Sequence, residues 1–396
     1  MSAKQKFILF IVAVALVGGV GYFFFGNKEA RKPIELNNKN QSIPVSKEPA
    51  NTGPVGAISG VSCENWNRRP VAVMQPVDAQ ARPVAGFSQA DMVFEMPNPA
   101  AGIFTTRLLG VYQCGTPEEV GSIRSARHDY ISIAKGLDAI FVGWGGSAFA
   151  LAKLDAGVID NLDCNDQGGK SASKYCFRKE RSGLMRIEDT GYIKFAKILE
   201  AAKDFGYRTE STFAGYPHQE DRAMDARPNG GHLRIGYPGI MEAEYDYDRE
   251  SNSYKRTWGG VPDTDRTTKE RIAPKNIVVV IAENEQIMNT VDYASRGVQD
   301  PWAGLPVEEK TGPTNISGRY NNLNLGDPWF DTKDTGSAFF YQNGEQIRGT
   351  WKKAKSSAES KLTFFDEGGN EVKFVPGQIW VEVMVPGQVF EWTASN

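Results

Sequence analysis

The sequence predicts an α/β (α+β) fold: a layered α/β domain followed by a smaller β-rich domain, behind one N-terminal transmembrane helix. Three observations predict it. An uncharged apolar run near the start is long enough to cross a bilayer. Between residues 70 and 205, β-branched apolar runs alternate with helical patterns, which points to helices packed on a sheet. After residue 270 helical signals stop, and short apolar runs follow one another between turn residues.

The apolar run is Phe7 to Phe25, nineteen residues without a charge. As a helix it is about 28 Å long, close to the hydrocarbon thickness of a membrane. Lys4 and Lys6 precede it, and Lys28, Arg31 and Lys32 follow, so flanking charge does not orient it. A cleaved signal peptide is the rival reading. The run exceeds an ordinary signal h-region, no small-x-small cleavage site follows, and no cysteine at its end takes a lipid. Residues 1–26 are therefore read as an anchor in the cytoplasmic membrane. Residues 27–60 are rich in Asn, Lys, Pro, Ser and Gly and bury too little to fold, so they read as a flexible tether. About 335 residues remain, more than one core usually holds. We divide them into an α/β domain over 61–265, its limit falling between 212 and 270, and a β-rich domain over 270–396.

Four cysteines, Cys63, Cys114, Cys164 and Cys176, all follow the apolar run. An even number behind an export-type start points to two disulfides, for which three connectivities exist. We expect Cys164 with Cys176, closing a short polar loop, and Cys63 with Cys114. Four buried free thiols are the alternative. The paired reading places the bulk of the chain outside the cytoplasm as a single-pass membrane protein.

Strands are expected at 70–77, 91–96, 105–113 and 138–144. Ser125 as N-cap and Gly136 as stop predict a helix over 126–135. A second helix starts at Ser147 and ends near Gly157. A third runs from Thr190 to Phe205, with Ile193, Ala196, Leu199 and Ala202 on one face. Residues 242–258 read as a hairpin, and 276–283 as a buried strand. Residues 295–335 read as a long loop. A meander then follows: strands at 337–342, 345–353, 362–366, 371–375 and 378–385, with Asn343–Gly344 as a hairpin turn.

Lys and Arg number 45 against 48 Asp and Glu, a net charge of −3 that offers no footprint for nucleic acid. His128, His218 and His232 do not sit at zinc spacing with the cysteines, so no metal is expected. No GxSxG, Walker A or GxGxxG motif occurs, and no cofactor is expected. The residues that carry a site are arginines: Arg82, Arg107, Arg124 and Arg127. Arg124 and Arg127 flank a helix start, where free N–H groups and guanidiniums together suit a phosphate or carboxylate. Asp91 and Glu95, four apart on a strand and so on one face, stand at its edge. Ser147, after Gly145–Gly146, adds donors. The competing reading is an ion-pair network in which Asp91 and Glu95 neutralise the arginines internally.

The blocks RPVAVM (69–74), ARPVAGFSQADMVFE (81–95), TTRLLGVY (105–112), GSIRSAR (121–127), DAIFVGWGGS (138–147) and FRKERSG (177–183) resemble the YerB-like lipoprotein family, bacterial proteins of unknown function. YKRTWGG, NIVVV, GTWKK and GQIWVEV are similar to that family's second half. Resemblance spans most of 69–388. The chain departs from the family pattern at Gln75–Asp78, at Gly143–Trp144 and at Ser182–Leu184, where the family carries asparagine or histidine. Histidine-dependent chemistry is therefore not implied. Nor does a cysteine follow the apolar run, so the helix takes the place of the family's lipid. The resemblance and the arginines together predict a membrane-anchored binding or accessory protein of the cell envelope. Its partners would be an envelope glycan, a phosphate-bearing precursor or a protein. The alternative is an enzyme of phosphoryl or glycosyl-phosphate transfer that uses the same cluster.

Overall fold

The computed structural model describes residues 53–98, 105–179, 186–286 and 321–395. The apolar run Phe7–Phe25 and most of the tether lie outside the described residues, as does most of the expected 295–335 loop. Among the described residues no helix is long and apolar enough to cross a membrane.

In chain order the first strands are β1 (Val71–Pro76), β2 (Met92–Pro97), β3 (Thr106–Tyr112), β4 (Glu119–Gly121), β5 (Ile140–Gly143), β6 (Asn161–Asp163), β7 (Cys176–Arg178) and β8 (Gly191–Lys194). Next come β9 (Gly230–Ile235), β10 (Ala243–Asp248), β11 (Ser253–Trp258), β12 (Val261–Pro262), β13 (Asn276–Ile281) and β14 (Asn284–Gln286). The last are β15 (Asn321–Leu323), β16 (Thr335–Gln342), β17 (Glu345–Lys352), β18 (Thr363–Asp366), β19 (Ile379–Met384) and β20 (Phe390–Ser395). The α-helices are α1 (His128–Gly136), α2 (Ala148–Asp155) and α3 (Phe195–Asp204).

Ten strands make one sheet in the order β18-β17-β16-β13-β19-β2-β3-β1-β5-β6. Five more make a second, β12-β11-β10-β9-β20, and β4-β8-β7 a third. In the large sheet β13, β19 and β2 are parallel, as are β1, β5 and β6. β3 lies antiparallel between β2 and β1, so those six strands run the same way. β1, β2 and β19 are buried at every position. Their largely apolar runs, each with one polar residue, suit strands covered on both faces.

α1 and α2 cover one face, where Tyr130, Ile131, Ala134 and Leu154 pack with Phe94 and Leu109. The other face carries α3 and the five-stranded sheet: Ile198, Leu233 and Tyr245 share a core with Val73, Val93 and Trp380. The result is three layers.

Both expected disulfides form, with Cα separations of 5.7 Å for Cys63–Cys114 and 5.8 Å for Cys164–Cys176. The hairpin of β10 and β11 and the Asn343–Gly344 turn between β16 and β17 also stand where the sequence puts them.

The C-terminal meander does not form as expected. Residues 371–375 make only isolated bridges, Phe365 with Glu371 and His218 with Phe374. β19 leaves its neighbours in sequence and lies parallel between β13 and β2. Segments on both sides of the expected domain boundary thus share one sheet. The third helix begins later than periodicity suggests. Gly191–Lys194 is instead strand β8, paired with β4 and β7, and α3 starts at Phe195. Cross-strand pairing outweighs helix propensity there. α1 also starts late, because Ala126 forms a parallel bridge with Gly146.

Candidate functional site

Arg107 stands near the start of β3, opposite Met96 of β2 and Pro76 of β1. Directly paired residues share a face of the sheet, and neighbours along a strand alternate. Arg107 therefore faces α1, and Glu95, paired with Leu108, faces the small sheet. Arg107 is 8% exposed. Its Nη1 donates to Ser125 O at 2.8 Å, and among the described residues no carboxylate forms an ion pair with it. Burial pushes its pKa well below the ordinary arginine value, and the positive charges of Arg127 and Arg124 push it further, against Tyr130 and Asp78. Arginine keeps its proton in proteins, so this direction marks a buried charge out of balance.

Arg124 and Arg127 lie on the strap that leads into α1. Arg124 N donates to Met74 O at 2.8 Å, and its carbonyl accepts from Trp144 N at 3.1 Å, which fastens the strap across the C-terminal ends of β1 and β5. The Arg124 guanidinium belongs to a closed ring. It pairs with Asp78 at 3.1 Å and with the buried Asp189 at 3.4 Å. Arg186 meets the same two carboxylates, each at 2.9 Å. Arg186 also lies 3.6 Å from Glu188, so this cluster holds two positive and three negative charges.

Arg127 is the N-cap of α1 and makes no side-chain cap. Its Nε donates to Asn98 Oδ1 at 3.0 Å, and its Nη1 to Ala126 O at 2.8 Å. That carbonyl also accepts from Ser147 N at 3.1 Å, so the N-terminus of α2 adjoins Arg127. The turn before α2 is held from below. Asp163, at the end of β6, accepts from the amides of Gly145 at 2.6 Å and Gln167 at 2.6 Å. Gly145 has φ of +65°, a left-handed conformation that glycine adopts without strain. Cys164 follows Asp163, so the Cys164–Cys176 disulfide braces this turn.

The structure thus brings Arg107, Arg124, Arg127 and Ser147 to one edge of the sheet. It does not bring Asp91, Glu95 or Arg82 with them. Asp91 lies at the opposite end of β2 from Arg107. Four residues along a strand span about 13 Å, so a shared face is not a shared site. Its carboxylate accepts from Ser59 Oγ at 2.5 Å, Gln113 N at 2.6 Å and Cys114 N at 2.9 Å, bracing the first disulfide.

Glu95 and Arg82 belong to a buried network between the two sheets. Glu95 accepts from Arg256 Nη2 and from Thr106 Oγ1, both at 2.5 Å. Asp263 binds both Arg256 and Arg82, the latter at 2.6 Å, and Arg82 stacks on Trp258 at 4.1 Å. Glu382 lies beside Glu95 in register across β19 and β2 and accepts from the Tyr245 hydroxyl. Burial first, and then the charge of Glu95, pushes Glu382 up to about 8.

Sequence reasoning missed Asp78, Asp189, Arg256, Asp263 and Glu382. Glu382 carried a signal, as a lone carboxylate inside the apolar run IWVEVM. Arg256 carried a weaker one, on the inward parity of its hairpin strand. Asp189 carried none.

Among the described residues no cluster of His, Cys, Asp and Glu suits a metal ion. A basin of about 460 Å³ lies elsewhere, near the C-terminal end of α1. Its cations Arg69, Lys135, Arg208 and Lys361 each already hold a carboxylate: Asp160, Glu359, Asp138 and Glu371.

Comparison with known proteins gives a consistent family. A model described as "Protein of unknown function (DUF3048) N-terminal domain" matches residues 58–208. Its C-terminal counterpart matches 233–301 and 310–381. The chain is 27% identical over 333 residues to "Putative lipoprotein YerB" of Bacillus subtilis (strain 168), covering 83% of this chain and 85% of that protein. The crystal structure of the Bacillus subtilis YerB protein superposes with a TM-score of 0.66 at 25% identity, over 86% of this chain and 99% of that one.

Proposed function

The chain belongs to the YerB-like family of proteins of unknown function, and on that premise we propose that it is an extracytoplasmic cell-envelope protein that binds a small anionic group at Arg107. Phe7–Phe25 holds it in the cytoplasmic membrane as a single-pass anchor. Two disulfides among the described residues fit an oxidising compartment, and the Bacillus relative is named a lipoprotein. The ligand is an anionic group of an envelope glycan or of its phosphate-bearing precursor.

One observation carries the binding reading: Arg107 is buried, stands beside two other guanidiniums, and among the described residues forms no ion pair with a carboxylate. A charge of that kind is costly unless something negative completes it. The edge formed by the C-terminal ends of parallel strands is also where open α/β sheets bind ligands.

Thermal unfolding of the full-length protein with inorganic phosphate tests this. Phosphate should raise the wild-type melting temperature and leave Arg107→Met unmoved. Without anion, Arg107→Met should melt at or above the wild type, because it removes an unbalanced charge. A wild type indifferent to phosphate, with Arg107→Met melting far lower, would overturn the reading.

A further inference from the structure

One end of the five-stranded sheet is apolar and open to solvent. Val261, Trp258, Ala243, Ile235 and Phe390 form one row across β12, β11, β10, β9 and β20. Beyond that row lie three turns: 236–242 between β9 and β10, 259–260 between β11 and β12, and 385–389 between β19 and β20. Hydrogen bonds join them side by side. Gly236 N donates to Val389 O at 2.9 Å, and Gly259 N donates to Glu242 O at 2.8 Å.

Each turn presents an exposed apolar side chain: Ile240 is 59% exposed, Val261 57% and Val389 50%. Residues 236–241, 259–262 and 385–389 are rich in glycine and proline and carry no charge. At the rim, Arg234 and Glu242 pair with each other. A contiguous apolar surface with a polar rim marks a place that meets lipid or another protein.

The position of this tip is fixed. The Tyr237 hydroxyl, in the first turn, donates to Val383 O at 2.7 Å and lies 3.3 Å from Glu95 O. The tip therefore stands at the C-terminal ends of β19 and β2. Arg107, opposite Met96, stands at the same end of β2, on the other face of the sheet.

Two considerations select lipid as the occupant. The proposed anchor ends at Phe25, and residues 26–52 span at most roughly 95 Å in any conformation. The described domain thus stays beside the bilayer, and tethering lets a weak contact suffice. The absence of charge also removes the main cost of entering the acyl boundary. Resting on the membrane-anchored reading above, we infer that Ile240, Val261 and Val389 form a tip that inserts into the lipid surface. Docking turns the C-terminal edge of the large sheet, which carries Arg107, toward the bilayer.

The test uses the full-length protein reconstituted in phosphatidylcholine vesicles that contain a phosphatidylcholine with a photoactivatable acyl chain. Mass spectrometry then locates the lipid-labelled peptides. Lipid should attach within 7–25 and within 236–242, 259–262 and 385–389. Ile240→Asp, Val261→Asp and Val389→Asp together should lower attachment at the three turns at least ten-fold. Attachment at 7–25 and the melting temperature should not change, because the three side chains are exposed. Wild-type attachment at 7–25 alone overturns the tip and leaves the anchor standing; a wild-type dimer that the triple variant loses would then give the turns to a second copy. Attachment at the turns that survives the triple substitution also overturns the tip. No attachment at 7–25 overturns the anchor on which the inference rests.

Discussion

The two faces of strands β2 and β3 treat buried charge in opposite ways. On the face toward the small sheet, Glu95, Asp263 and Glu382 meet Arg82 and Arg256. Three carboxylates against two guanidiniums leave one negative charge too many, and a proton on Glu382 removes it, since that group is pushed up to about 8. On the face toward α1, Arg107 forms no ion pair with a carboxylate among the described residues, while beyond the end of β1 Arg124 and Arg186 meet Asp78, Asp189 and Glu188. A protonated carboxylate can correct an excess of acid at neutral pH. An arginine cannot shed its charge. The first network is complete within the chain and reads as scaffold. On the anion-binding proposal, Arg107 is completed from outside the chain.

The sharpest break of this comparison is Arg256→Met. It leaves Glu95 and Asp263 buried with fewer partners, and should cost on the order of 3–5 kcal/mol in urea unfolding. A loss below about 1 kcal/mol would mean that the network is not holding the two sheets together.

The proton on Glu382 gives the next largest effect. Its native pKa lies above the ordinary 4.5, so its contribution to stability is full below about pH 4.5 and is lost as pH rises toward 8. Stability should decline across that window by on the order of 2–4 kcal/mol, and Glu382→Gln should flatten the slope. Lys353, pushed down to about 8 by burial, works in a different window: its contribution is lost as pH falls from about 10.5 toward 8. An unchanged slope in Glu382→Gln would remove the proton from the account.

Arg124→Ala opens the ring, yet Arg186 still holds Asp78 and Asp189. We expect a loss of about 1–2 kcal/mol, smaller than for Arg256 because a second cation remains. A loss as large as that of Arg256→Met would place Arg124 among the scaffold charges. Arg107→Met should change stability least, by within about 1 kcal/mol and in the stabilising direction, measured in anion-free buffer.

What the sequence made legible here was local. Strand and helix runs followed from side-chain periodicity, the Asn343–Gly344 hairpin from turn chemistry, and the disulfide partners from compartment and spacing. The grouping of Arg107, Arg124 and Arg127 was also legible, because strand end and helix start lie close along the chain. The pairing of Glu95 was not: its partner Arg256 is 161 residues away.

By itself, then, the sequence determined which segments are strands and helices, which turns join them, and that arginines gather at one helix start. Those features depend on interactions within a few residues, where spacing along the chain is spacing in space. Only the tertiary structure decided that β19 enters the sheet between β13 and β2, which binds the two halves into one sheet. It also decided which carboxylates answer which arginines. Strand parity sends Glu95 and Arg107 to opposite faces, and register then gives Glu95 to Arg256 and leaves Arg107, among the described residues, without a carboxylate in an ion pair. Register is a property of pairing between distant segments, and a single strand carries its own alternation but not the identity of its neighbour.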